Sequence, residues 1–162
     1  MKNIQKVLTD IIQESSKIFW VLFKVILPVI IIIRALELLG AIPYLAKFLE
    51  PLTSFIGIDG SLGLVWMAAI LVNIYAGMAA FASLQPIFDY TVAETTILGL
   101  IILIAHSLPI EVAIARQSRV SAIFNLLFRF INAVIAGKIL NYIFIKFELF
   151  NEQNSSILDI ST

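Results

Sequence analysis

Cysteine is absent from the chain, which excludes disulfides, thiolate metal sites, iron-sulfur ligation and a cysteine nucleophile while leaving the redox compartment open. Histidine occurs once, at His106, so imidazole-based metal chemistry is limited too. No metal site and no cofactor are expected. Charge is scarce as well: 14% of the 162 residues are charged, against about a quarter in soluble domains. The eleven basic and eleven acidic residues cancel, which leaves neither a basic face for nucleic acid nor an acidic tail for a basic partner. No GxxxxGK[ST] loop and no HExxH helix occur, so the common phosphate-cradling and zinc-hydrolase signatures are missing.

What is abundant is apolar. Hydrophobic residues make up 60% of the chain and the mean hydropathy is +1.01, well beyond the soluble range. The composition predicts an integral membrane protein in contact with the bilayer, all-α and multi-pass. Four to five transmembrane helices are expected, with broken helices and a re-entrant or interfacial hairpin.

At the N-terminus, Ile4, Val7, Leu8, Ile11 and Ile12 recur at helical spacing opposite Lys2, Lys6, Asp10, Gln13 and Glu14. This predicts an amphipathic helix over residues 1–17, either lying in the headgroup layer or packing on a partner. It does not have the form of a cleavable secretion signal. An apolar run follows over 18–33, bounded by Lys17 and Arg34, and at about 25 Å it nearly crosses a bilayer. Pro28 sits near its middle and Lys24 about two turns in, where it either snorkels or pairs within the protein. Residues 41–56 are apolar but interrupted by Pro43, Lys47, Glu50 and Pro51, too short for a span and read as the re-entrant or interfacial hairpin. Gly57, Asp59, Gly60 and Gly63 supply a turn, with Asp59 or Ser61 as N-cap.

The stretch from Gly60 to Glu111 organises the rest. Residues 62–84 read as one span, on which Ala69, Asn73, Ala76, Ala80 and Ser83 fall within an arc of about 80°. That small and polar face is either a packing seam or the lining of a pathway. Gln85 and Pro86 end it. Thr91-x-x-Glu94 fits a capping box for a helix over 92–108 that carries Thr95, Gly99 and His106 on one face. The lone histidine either bonds a free carbonyl at the helix end or serves a functional role. Pro109 opens a new short helix with Glu111 in its first turn and Arg116 and Arg119 near its end. The last span, 120–145, aligns Ser121, Asn125, Arg129, Asn132 and Ala136 on one face. A guanidinium that deep costs about 3 kcal/mol unless paired or watered, so Arg129 is expected to meet a carboxylate, backbone carbonyls or a polar cavity, with Glu94 and Glu111 as candidate partners. Residues 151–162 are polar and expected to be disordered.

Basic residues give a contradictory topology. Lys2, Lys6, Lys17 and Lys24 place the N-terminus in the cytoplasm, yet four spans put Arg116 and Arg119 outside. Either 41–56 crosses after all, or the chain inserts both ways and pairs with an inverted copy.

The segment LPVIIIIRALELLGAIPYLAKFLEPLTSFIGIDGSLGLVWMAAILVNIYAGMAAFASL, with HSLPIEVAIARQSR after it, resembles the Gate, or nucleoside-recognition, domain. That domain is found in spore maturation proteins A and B, in small bacterial inner-membrane proteins, and twice in the membrane part of ferrous-iron transporters. The resemblance runs from about Leu27 to Arg119, within a Gate-like transmembrane domain taken as residues 18–147, followed by the tail 148–162. It implies a half-transporter unit, paired with a copy of itself or with a homologous Gate-domain subunit, passing a small solute or ion. Without a GTP-binding domain or cysteine, neither iron nor nucleotide-driven transport carries over. Asn73, Tyr75, Gly77, Ser83, Gln85, Thr95, His106, Glu111, Asn125, Arg129 and Asn132 are the expected lining of the pathway. The competing reading is a scaffold or regulator whose polar stripes are oligomer seams. An enzyme is not expected, because His106 and its neighbour Ser107 lie about 100° apart on a helix and form no nucleophile-base pair.

Overall fold

The computed structural model describes residues 2–117 and 121–150, so the expectation for residues 151–162, and that part of the reading which rests on Arg119, lie outside it. Seven helices follow one another, with no strand among the described residues: α1 (Lys2–Leu38), α2 (Ile42–Ile56), α3 (Gly60–Leu71), α4 (Ile74–Leu84), α5 (Val92–Ile104), α6 (Leu108–Gln117) and α7 (Ala122–Lys146). Three apolar stretches are long enough to cross a membrane, at Asp10–Leu38, Val92–Val112 and Ala122–Lys146, and α2 with α3 would make a fourth as a sharply bent pair.

In α1 the amphipathic start and the first apolar run form one unbroken helix of 37 residues with Pro28 inside it. At about 1.5 Å per residue such a rod is longer than the ~30 Å hydrocarbon core. Its C-terminal half packs on α4, with Ile33 buried.

Residues 41–56 form no hairpin. Pro43 begins α2 and Pro51 lies within it, and the helix continues to a C-cap at Gly57. Thr53 donates its hydroxyl to Leu49 O at 3.2 Å, and its side chain is buried. The axis of α2 then turns by 91° into α3. A side chain at Gly60 would run into the carbonyl of Ala46, so the corner closes only because that residue is glycine. Asp59 caps α3 by accepting from Ser61 N at 2.8 Å.

The hairpin lies further along, inside what the periodicity presents as one span. After Leu71 the chain leaves the helix at Val72 and becomes extended at Asn73 (φ −172°, ψ 176°). It then folds back as α4 along α3. Asn73 ends the first helix and starts the second, its side-chain oxygen accepting from Ala76 N at 3.0 Å. The two helices close tightly because Gly77 has no side chain: a Cβ there would approach the Ala69 Cβ to 2.8 Å. With 12 residues in α3, the hairpin is about 17 Å long, against about 30 Å for the thickness of a hydrocarbon core.

α5 runs beside α3 in the same direction. Asp59 N donates to Glu94 Oε1 at one end, and Trp66 Nε1 donates to Ala105 O at the other. α7 returns along α5, with Phe130 stacked on Trp66 at 5.3 Å and Asn141 against Gly57. Ile56, Leu62, Val65, Trp66, Leu84, Ile97 and Ile101 form the fully buried centre.

Candidate site where two helix breaks meet

Ending a helix within apolar surroundings leaves carbonyls and amides that require partners. Because α3 stops at Leu71, the carbonyl of Ala69 has no amide from its own helix one turn on. The amide of Ser107, from the break between α5 and α6, fills that place at 2.9 Å. Trp66 Nε1 likewise donates to the carbonyl of Ala105, the residue that ends α5, at 3.3 Å. Each break therefore helps satisfy the backbone of the other. Ser107 reaches its place with φ 51°, a left-handed conformation uncommon outside glycine, and Pro109 then helps to start α6. The ends of α3 and α5 and the starts of α4 and α6 all converge here.

His106 lies at this meeting point, half-buried, with Nδ1 2.8 Å from Ile102 O. A carbonyl oxygen only accepts, so Nδ1 carries the proton and, in the neutral ring, Nε2 holds the free lone pair. Asn73 is the cap of α4 beside it, and Tyr75, one residue into that helix, is exposed. Arg129 forms an ion pair with Glu111, both side chains about three-quarters withdrawn from the surface. Of the two carboxylates expected as its partner, Glu94 is engaged elsewhere. It closes the capping box with Thr91 and receives the Asp59 amide.

The other expected lining residues are dispersed. Gly77 and Thr95 face a groove of about 340 Å³ between α4 and α5, floored by Val65, and Thr95 donates to Thr91 O at 3.0 Å. Ser83 donates to Ala79 O at 2.9 Å near the far end of α4, where Gln85 is the C-cap. Asn132 is exposed and bonds Phe128 O at 2.6 Å within its own helix, and Asn125 is half-buried. Back-bonding of this kind satisfies a hydroxyl or amide without a second helix. Lys138 stands over the Phe55 ring at 4.7 Å, a cation-π contact between α7 and α2.

A second polar cluster, at the opposite end of α3, has a weaker signature in the sequence. The buried Ser61 hydroxyl lies 2.7 Å from the Tyr90 hydroxyl and 2.5 Å from Asp59 Oδ1, while Glu94 bridges from α5 to the Asp59 amide at 3.0 Å. Burial pushes the Tyr90 phenol, in the connection before α5, up to about 12. The cap at Asp59 and the box at Thr91 are each legible locally. Nothing local joins them.

The fold defines an all-α multi-pass membrane protein with a bent helix pair and a helical hairpin. No family model matches the chain, and no solved structure matches it. It is 29% identical over 98 residues to the uncharacterized membrane protein YvoD of Bacillus subtilis (strain 168), a match covering 60% of this chain and 30% of that relative. The chain therefore matches less than a third of the relative's length. With 98 residues making up 30% of it, the relative is about 330 residues long, about twice the length of this chain.

Proposed function

We propose that this protein is a transport or channel subunit of the inner membrane, related to the Gate domain, that passes a small solute or ion at the meeting of its two helix breaks. It works as an oligomer around that polar centre, either with copies of itself or with a homologous Gate-domain subunit. No chemical step is involved. The observation that carries the reading is the hydrogen bond from Ser107 N to Ala69 O, which ties the α5/α6 break to the tip of a hairpin that descends only about halfway. Discontinuous helices meeting near the midplane, with backbone dipoles and polar side chains turned toward one another, are how many transporters hold ions and small substrates. The competing scaffold reading is favoured by Ser83 and Asn132, whose polar groups bond their own helices.

Purified protein in proteoliposomes, carrying Asn73→Ala or Arg129→Ala, separates the two. Assembly is followed by size-exclusion chromatography, and flux by uptake of radiolabelled uridine and by dye-reported proton and sodium movement. Retained assembly with lost flux supports transport. Loss of assembly in both variants, with no flux from the parent protein, supports the scaffold.

A further inference from the structure

The residues that sit opposite one another fix the relative depth of each helix, and depth decides on which face of the membrane each connection lies. We propose that the chain crosses the bilayer three times. The start of α1 and the end of α6 lie on the cytoplasmic face, and the α3/α4 hairpin enters from the other face and returns to it without crossing. This topology is independent of what, if anything, passes through the protein.

The starts of α3 and α5 share one level, because Asp59 N bonds Glu94 and Ser61 bonds Tyr90. The end of α7 shares it too, through Asn141 against Gly57. The tip of the hairpin shares a second level with the α5/α6 break, through Ala69 and Ser107, and with Phe130 through Trp66. Between Ala122 and Asn141, which marks the first level, Phe130 lies eight residues from one and eleven from the other, so this second level is close to the midplane. From there α7 extends a further eight residues toward its N-terminus at Ala122. Only residues 118–121 separate that start from the end of α6 at Gln117, so α6 completes the crossing that α5 begins. α2 runs at 91° to α3 and meets it at Gly60 and Gly63. It therefore lies flat at the first level, with Tyr44 and Phe48 outward, and α1, which ends just before it, descends from there to the opposite face.

The contradiction in the basic residues then disappears. Lys2, Lys6, Lys17 and Arg116 share one face. On the other face stand Arg34, Lys47, Lys138 and Lys146, of which Lys138 lies two turns inside the end of α7 over the Phe55 ring. Arg34 is paired with Glu37 there, and the short connections at residues 39–41, 57–59 and 85–91 contain no lysine or arginine. Positive charge near span ends is retained in the cytoplasm, so the face with the N-terminus is the inner one. With four spans the same residues oppose one another. With three and a re-entrant hairpin they agree.

The chain has no cysteine, so single cysteines report their side of the membrane without background. Asn3→Cys, Lys47→Cys, Gln117→Cys and Glu148→Cys, each in the full chain, are treated with a membrane-impermeant maleimide in spheroplasts and again after permeabilisation. The expected result is labelling at positions 47 and 148 in intact spheroplasts, and at 3 and 117 only after permeabilisation. Labelling of 3 and 148 from the same side means an even number of crossings and overturns the proposal. A fully reversed pattern overturns the orientation, and half-labelling of all four positions before permeabilisation overturns a single orientation in favour of dual insertion.

Discussion

At the residue scale, the ion pair of Glu111 and Arg129 holds the short α6 against α7. Removing one partner leaves a charge withdrawn from water, whereas removing both leaves an apolar contact. Glu111→Ala is expected to cost about 1–3 kcal/mol, less than for a fully buried pair because both side chains keep some exposure. Glu111→Ala combined with Arg129→Leu should recover most of that loss, as read from thermal unfolding in detergent. A double variant no more stable than the single would mean that the pair is not what joins these helices. Asn73→Ala removes a cap worth about 1 kcal/mol, and Asn73→Ser, which keeps an acceptor at the same place, should retain most of it in the same assay. Tyr90 makes a prediction in pH. Its folded value of about 12 lies above the ordinary phenol, so its stabilising contribution is complete below about pH 10 and is lost as pH rises through 12. Ultraviolet titration of the four tyrosines should show one phenol ionising late, and Tyr90→Phe should abolish that late step.

At the scale of elements, two glycines that look alike in sequence are expected to respond in opposite directions. Gly77 lies against Ala69 across the hairpin, while a Cβ at Gly99 would meet nothing within 4 Å. Gly77→Val should force α3 and α4 apart and cost about 1–3 kcal/mol. Gly99→Ala should stabilise by up to about 1 kcal/mol through helix propensity alone. Equal effects of the two in a denaturant series would remove the hairpin as the reason for Gly77. The same contrast shows what the sequence can convey. The capping box at Thr91, the Asp59 cap and the His-Ser-Leu-Pro break are written in residues that act on their immediate neighbours, so they are legible, and Glu111 stands among the expected partners of Arg129. The turn at Val72 and Asn73 is not legible. It has neither proline nor glycine, apolar residues flank it on both sides, and helical periodicity continues through it as though the chain ran straight on. The small face at Ala69, Ala76 and Ala80 is real, but Ala69 lies in α3 and the other two in α4, with all three buried. For the same reason Gly77 and Thr95 come together in a groove while Ser83, Gln85 and Asn132 do not join them: spacing along one helix says nothing of which other helix passes nearby.

At the scale of the whole molecule, an odd number of crossings has a consequence for assembly. In the proposed topology the start of α1 and the end of α7 lie on opposite faces, so a second unit of the same build joined directly after the first begins on the far side and inserts upside down. A relative about twice as long has room for such a unit, and inverted repeats are a common plan for transporters. In this chain, where the basic residues agree on one orientation, a direct tandem of two copies forces the second to export Lys2, Lys6, Lys17 and Arg116, against the retention of positive charge on the cytoplasmic side. A tandem with one extra apolar span between the copies lets both insert alike. The second tandem should accumulate in membranes at the level of two separate chains, and the first at several-fold less, as judged by quantitative blotting of membrane fractions and size-exclusion profiles in mild detergent. Equal accumulation of the direct tandem would show that the unit tolerates both orientations, and the partner across the helix breaks would then be an inverted copy of the same chain. With the expected inequality, any inverted partner is a different polypeptide, one whose own basic residues favour the opposite insertion.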